Sequence, residues 1–377
     1  MVMYWVVGYT LFLFSCYEVL ITNGMEVKER KKDPLVILLF IAGVALLIVF
    51  GGIRGPMSGV DDDQYKQFYY YFIQQIDIDS LGDIKDKYRY EPVFIYLAYL
   101  SSFITKNSNW FLLFVCFFAV SINAITFKKY SPLILVSLCL YSVHLFINKD
   151  MNQIRFGISS AFAVASFCYL SQDKYTKALI LFLCCILSHN TGYAAILMVP
   201  FLFIKERRYL PLIIILCAIP IGIVGGKSLF LNYFSLIPGV GIMARNYVGG
   251  EFDGELSVFG LANLKNILFI AVFCFYILRD ITEPEKFKLY YILILAYAIG
   301  GAIRIIFSDF SIIGGRVGNL FLHAEPILMA IFLSKLKNKF MALGFFFLFI
   351  SYFLTYNTII FPQSIFGYSV SQTFDAF

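Results

Sequence analysis

The sequence is poor in charge. Asp, Glu, Lys and Arg make up 14% of its 377 residues, against about 25% in a soluble globular domain. A soluble enzyme and a disordered chain are excluded, because 60% of the residues are apolar and the mean hydropathy is +0.79. Apolar residues come in runs and do not alternate with polar ones, which excludes a membrane β-barrel. No CxxC pair or Cys/His cluster occurs. Cys16, Cys116, Cys139, Cys168, Cys184, Cys185, Cys217 and Cys274 all sit inside apolar runs and read as small buried groups, neither disulfides nor metal ligands. The net charge of +6 is gathered in no tail or stripe, so nucleic acid is not an expected partner. The segment after Met1 lacks a basic stretch, so no cleavable signal is expected. Internal repeats and linkers that would separate soluble domains are absent, and residues 1–377 read as a single membrane domain.

What the sequence does have is a succession of apolar runs, near 3–22, 34–53, 92–105, 110–127, 131–147, 154–171, 177–188, 191–204, 209–225, 259–279, 288–307, 316–334 and 340–358. These predict an all-α, polytopic bundle in the lipid bilayer with roughly 11 to 13 membrane helices, where a full span takes about 20 residues. The three short runs, 92–105, 177–188 and 191–204, are expected to be re-entrant or half-length. Lysines and arginines collect in the connections after the first, fourth, sixth, eighth, tenth and twelfth runs. All of these fall on one side, the cytoplasmic one, if 92–105 does not cross. The opposite side, expected to be extracytoplasmic, then receives the turn 148–153, the tip 188–190, the turn 308–315 and two long loops, 54–91 and 226–258, both expected to be periplasmic.

Candidate chemistry lies on that opposite side. Loop 54–91 offers Arg54, a run Asp61-Asp62-Asp63, Tyr65 four residues after Asp61, an aromatic patch from Phe68 to Phe72, and Glu91 before Pro92. Asp61 and Tyr65 share a face if the segment is helical. An acidic solvated loop beside an interfacial aromatic belt accounts for the same residues. A metal-binding DxD site for a nucleotide sugar is disfavoured by sidedness. The turn after 147 places Asn148, Asn152, Arg155 and Ser159 on one helical stripe, and Ser188-His189-Asn190 interrupts an apolar stretch. His144 and His323 are weaker candidates, although Arg316, Asn319 and His323 share a face. A histidine inside a membrane is as readily a helix-packing donor as a ligand. Arg54, Arg155, Arg245, Arg304 and Arg316 all map to the side that the positive-inside rule depletes of cations. A multiply anionic ligand gives them a reason to be there.

Gly52-Ile53-Arg54, then Gly59-x-Asp61-x-x-x-Tyr65, Glu91 before a short helix, Asn152-Gln153-Ile154-Arg155, Ser188-His189 and Gly315-Arg316 together resemble the EpsG-like, Wzy-type polysaccharide polymerases, over residues 1 to 335. The sequence departs from that pattern in its three consecutive aspartates and in Ile154. The resemblance implies a bacterial inner-membrane enzyme acting on the outer side. It would move a growing glycan from undecaprenyl diphosphate onto a hydroxyl of another lipid-linked repeat unit, using neither a nucleotide sugar nor a tightly bound metal or other cofactor. A chain-length regulator is a candidate partner. On that reading Arg155, Arg304 and Arg316 meet the diphosphate, Arg54 and Asp61 shape the acceptor side, Tyr65 and Arg245 contact substrate, and Asp61, Glu91 or His189 is the base. A flippase for the same lipids and a ligase-type glycosyltransferase remain alternatives.

Overall fold

The computed structural model describes residues 1–21, 29, 31–55, 58–76, 90–227, 254, 256–279, 281–362, 365 and 367–371. Among the described residues every regular element is a helix, apart from an isolated antiparallel bridge between Arg54 and Val370. The chain is an all-α, multi-pass membrane protein. The helices are α1 (Val2–Ile21), α2 (Pro34–Gly52), α3 (Asp62–Gln75), α4 (Pro92–Ser102), α5 (Ser108–Tyr130), α6 (Ile134–Leu140), α7 (Ile154–Leu170) and α8 (Tyr175–Ser188). There follow a 3₁₀ helix (Asn190–Phe203), α9 (Leu210–Val224), α10 (Leu261–Val272), α11 (Pro284–Ile306), α12 (Ser311–Leu322), α13 (Glu325–Lys335) and α14 (Lys339–Thr355). Helices α6, α10 and α14 run on as π-helix over Tyr141–Asp150, Phe273–Ile277 and Tyr356–Ile360.

Among the described residues, five helices are long and apolar enough to cross a membrane, and α12 with α13, bent by 48°, is either a broken sixth span or a re-entrant pair. The count expected from the sequence is reached only by including the shorter apolar helices, such as α4, α7, α8 and the 3₁₀ helix. The run 316–334, expected as one helix, is broken at His323 and Ala324. The break at His189 falls where the sequence places it.

Two compact units emerge, one made of Met1–Phe162, Leu183–Asn190 and Met329–Phe377, the other of Ala163–Phe182 and Thr191–Leu328. In the first, α2 starts under an Asp33 cap whose carboxylate accepts from Leu35 and Val36 N–H at 2.9 and 3.0 Å. It packs along α5 so closely that a Cβ on Gly52 would lie 2.7 Å from the Cα of Leu113. The glycine is what permits that approach. The two helices are antiparallel, since Lys31, just before α2, donates to the carbonyls of Lys128 and Lys129 at the end of α5, both at 3.1 Å. Helix α4 therefore does not cross. It lies with α3 at the far end, where the Tyr69 hydroxyl donates to Thr105 O at 2.6 Å and the Tyr69 ring stacks on Phe111 at 4.3 Å. At the lysine end a buried carboxylate, Glu18 of α1, caps α6 by accepting the N–H groups of Ile134, Leu135 and Val136 at 2.7, 2.9 and 3.2 Å. One charge thus satisfies three amides that the helix itself cannot.

In the second unit α11 packs against α9, α10 and α12. Its Tyr297 donates to Glu325 at 2.7 Å beside the Asn266 amide, and Lys265 pairs with the same carboxylate at 2.7 Å. One end of this unit is tied by Lys288 to Asp173 at 2.6 Å, the other by the N–H of Lys227 to Asp309 at 2.9 Å.

Candidate functional site

The site is built at the end of the first unit remote from Lys31 and Lys128, where α2 delivers the chain into its first long connection. Arg54 and Asp62 form its foundation. Both side chains are fully buried; Arg54 Nε lies 2.9 Å from each carboxylate oxygen and Nη2 2.7 Å from Oδ1. Nη1 donates to Gly51 O. Asp62 also accepts the Gly59 N–H at 2.7 Å and occupies the first turn of α3, where a carboxylate suits the helix dipole. Gly59 admits no side chain, since a Cβ there would fall 1.9 Å from Met151 O. The Asp61 N–H donates to Asn152 Oδ1 at 3.2 Å, joining this connection to the turn that begins α7.

The C-terminal segment covers the pair. Gly55 N–H donates to Ser369 O at 2.8 Å and Ser371 N–H to Ile53 O at 2.9 Å, on either side of the Arg54–Val370 bridge. Tyr368 stacks on Phe50 at 4.1 Å and donates to its carbonyl at 2.8 Å. The sequence expectation for Arg54 is corrected here. Its guanidinium is enclosed and committed to Asp62, so it supports the site from beneath and does not face a substrate.

Above this base lies Arg155, in the first turn of α7 and 22% exposed. Its Nη1 donates to Glu91 Oε2, its guanidinium lies 4.5 Å above the centre of the Tyr90 ring, and it is hydrogen-bonded to the Tyr65 hydroxyl. Arginine only donates, so the Tyr65 oxygen accepts and the phenolic hydrogen is left for another acceptor. Burial holds the Tyr65 phenol above its ordinary pKa; Arg155 opposes the rise and Asp61 adds to it, so the group stays a donor at neutral pH. Tyr90 is raised for the same first cause. Arg155 Nε is buried and has no hydrogen-bond partner. Glu91, at the N-cap of α4, accepts the Asn190 N–H through its other oxygen at 3.3 Å. His189 meets the edge of Phe156 with ring centres 5.5 Å apart.

The structure thus brings together Asp61, Tyr65, Glu91, Arg155 and His189, drawn from four separated stretches of sequence. The helical stripe drawn through Asn148, Asn152, Arg155 and Ser159 does not act as one surface. Asn148 donates to Asn357, Asn152 accepts from Asp61, and Ser159 donates to Cys185 O. His144 lies beside Asn148 and Asn357 and stacks on Phe353 at 4.2 Å. Arg304 and Arg316 belong to the second unit, where Arg304 donates to Asn319 at 2.9 Å and His323 is buried. Arg245 and most of loop 226–258 lie outside the described residues.

Sequence reasoning missed Lys149, which lies against Phe156, and its neighbour Asp150. Lys149 Nζ sits 4.6 Å from the centre of that ring and donates to Ser160 at 3.0 Å, while buried Asp150 accepts from Tyr141 at 2.6 Å. Two adjacent charges at the start of a turn signal solvent by composition, and here they point inward. Among the described residues no group of three His, Cys, Asp or Glu side chains is placed to hold a metal ion.

These features define a polytopic helical membrane protein that collects a cation, carboxylates, an imidazole and phenols at one end of a helical unit. The chain belongs to the EpsG family, whose profile matches residues 36–370. That match extends past residue 335, where the resemblance read from the sequence ends, and takes in the segment that bridges Arg54. A relative from Erwinia amylovora, named amylovoran biosynthesis protein AmsC, is 50% identical over 380 residues, covering 100% of both chains. No solved structure matches.

Proposed function

We propose that this protein is a membrane glycosyltransferase of exopolysaccharide biosynthesis, a polymerase that joins lipid-linked repeat units in the bacterial inner membrane. The observation that carries this reading is Arg155, a guanidinium at the rim of a helical unit with a buried Nε–H unengaged, next to a tyrosine with a hydrogen to give. The relative's name, which concerns the making of a polysaccharide, supports the pathway.

The chemistry is a single displacement. An acceptor sugar hydroxyl attacks the anomeric carbon of the donor glycan, the bond from that carbon to the undecaprenyl diphosphate oxygen breaks, and the diphosphate leaves with the electron pair. Arg155 meets the charge that develops on the leaving oxygen, with Tyr65 O–H as a second donor. The hydroxyl proton passes to Glu91 or His189, which sit on either side of Asn190 and within one neighbourhood of Arg155. Tyr90 and Tyr65 offer flat faces for sugar rings. Lys31, Lys128 and Lys129 gather at the opposite end, which supports a periplasmic orientation of this pocket under the positive-inside rule.

In a strain lacking the gene, single repeat units should reach the cell surface without polymer. Plasmid-borne Arg155→Ala should fail to restore polymer at normal protein level, a loss of about 100-fold or more for a positioned transition-state donor. Long chains made by Arg155→Ala would refute the assignment. A strain in which no repeat units cross the membrane would point to transport instead.

A further inference from the structure

We infer that the Glu91 carboxylate is a built-in occupant of an anion site, and that a phosphate or diphosphate group binds by displacing it. The inference rests on the reading above and gives that site its ligand chemistry and its resting state. The two oxygens of Glu91 are held as two oxygens of a phosphate would be, Oε2 by the Arg155 guanidinium and Oε1 by the backbone N–H of Asn190 at 3.3 Å, which opens the 3₁₀ helix Asn190–Phe203. Charge-assisted donors of this kind recognise carboxylates and phosphates alike.

Donors outnumber what the carboxylate can satisfy. Arg155 Nε is buried with no partner, and Tyr65 accepts from Arg155, so its own hydrogen remains. A buried donor left unmade costs free energy, about 1–3 kcal/mol. A tetrahedral oxyanion carries more acceptor oxygens than a carboxylate and can use all four donors. Glu91 precedes Pro92, which fixes the start of α4, so rotation of its side chain alone can take the carboxylate away while the helix stays in place. A dianionic group at Arg155 would also repel the carboxylate. Ligand arrival and release of Glu91 are then one exchange, and the carboxylate becomes available only when the anion is seated.

The test is binding to the full-length protein in nanodiscs, measured by titration calorimetry with farnesyl diphosphate and, separately, inorganic pyrophosphate. Glu91→Gln removes the internal anion and should bind farnesyl diphosphate about tenfold more tightly than wild type, as expected if the carboxylate fills the site most of the time. Glu91→Asp keeps the charge but is one methylene too short to reach both Arg155 and Asn190, so it should also bind more tightly and serves if the glutamine variant does not fold. Tighter binding of both probes supports a site for phosphate in general; tighter binding of the isoprenyl probe alone supports a lipid headgroup. Loss of binding in Arg155→Ala with no gain in either Glu91 variant overturns the displacement and leaves the polymerase reading standing. Equal binding by wild type and Arg155→Ala overturns both.

Discussion

Arg54 Nη2 and Asp62 Oδ1 lie 2.7 Å apart with neither side chain exposed. Breaking such a pair from one side strands the other charge in a low-dielectric interior, at a cost of about 3–5 kcal/mol. Asp62→Asn and Arg54→Ala should each lower the unfolding temperature of the detergent-solubilised protein sharply, whereas Asp63→Asn, at an exposed position of the same run, should leave it nearly unchanged. Equal melting of the Asp63 and Asp62 variants would show that the pair is not the anchor of this loop.

Gly59→Ala should be among the most damaging single-methyl changes in the chain. The added carbon meets the Met151 carbonyl, a backbone atom that moves only if the turn leading into α7 moves. Overpacking of this kind costs about 1–3 kcal/mol, and it would shift Arg155 as well. Gly344→Ala, where a Cβ meets nothing within 4 Å, is the matched control. Polymer formation and thermal stability should fall for the first variant and hold for the second.

The position of α4 predicts a labelling pattern. Because α4 does not cross, Lys106 and Lys129 stand at opposite ends of α5. In intact cells of a cysteine-free background, Lys106→Cys should react with a membrane-impermeant maleimide and Lys129→Cys only after permeabilisation. Labelling of both from the same side would require a different path through residues 92–130.

Lys31 gives a prediction in pH. Burial lowers its pKa from the ordinary 10.5 to about 8, with Glu18 pulling the other way. Between those two values the unfolded chain holds more protons than the folded one, so stability should rise as pH increases from about 8 towards 10. Reductive methylation with carbon-13 formaldehyde followed by NMR should show one dimethyl-lysine resonance titrating near 8, absent in Lys31→Arg. Glu18→Gln should move it lower.

Much of this architecture is legible in the sequence because apolar runs and lysine placement act over whole helices. The non-crossing segment at 92–105 follows from the charge asymmetry, and the break at His189 from three polar residues within an apolar stretch. Sidedness and order put Asp61, Tyr65, Glu91, Arg155 and His189 on one face, but they set Arg155 with Arg304 and Arg316, which belong to the second unit. Choices between neighbours are not legible in this way. Three consecutive aspartates are chemically alike, and only the turn made by Gly59 decides that Asp62 faces Arg54. Lone charges within apolar runs were the overlooked signal. Glu18, Lys265 and Glu325 each stand nearly alone in a hydrophobic stretch, and each finds a buried partner in another helix, as the cost of a bare charge in a membrane requires.

The bridge between Val370 and Arg54 has a consequence for biogenesis. The lining of the first loop is completed by a segment far along the chain, so this end of the protein reaches its final packing only after every intervening helix has been made. A chain truncated before Ser369 would keep most of its helices and leave the Arg54–Asp62 pair uncovered, a lesion that membrane proteases could read as the mark of an unfinished product.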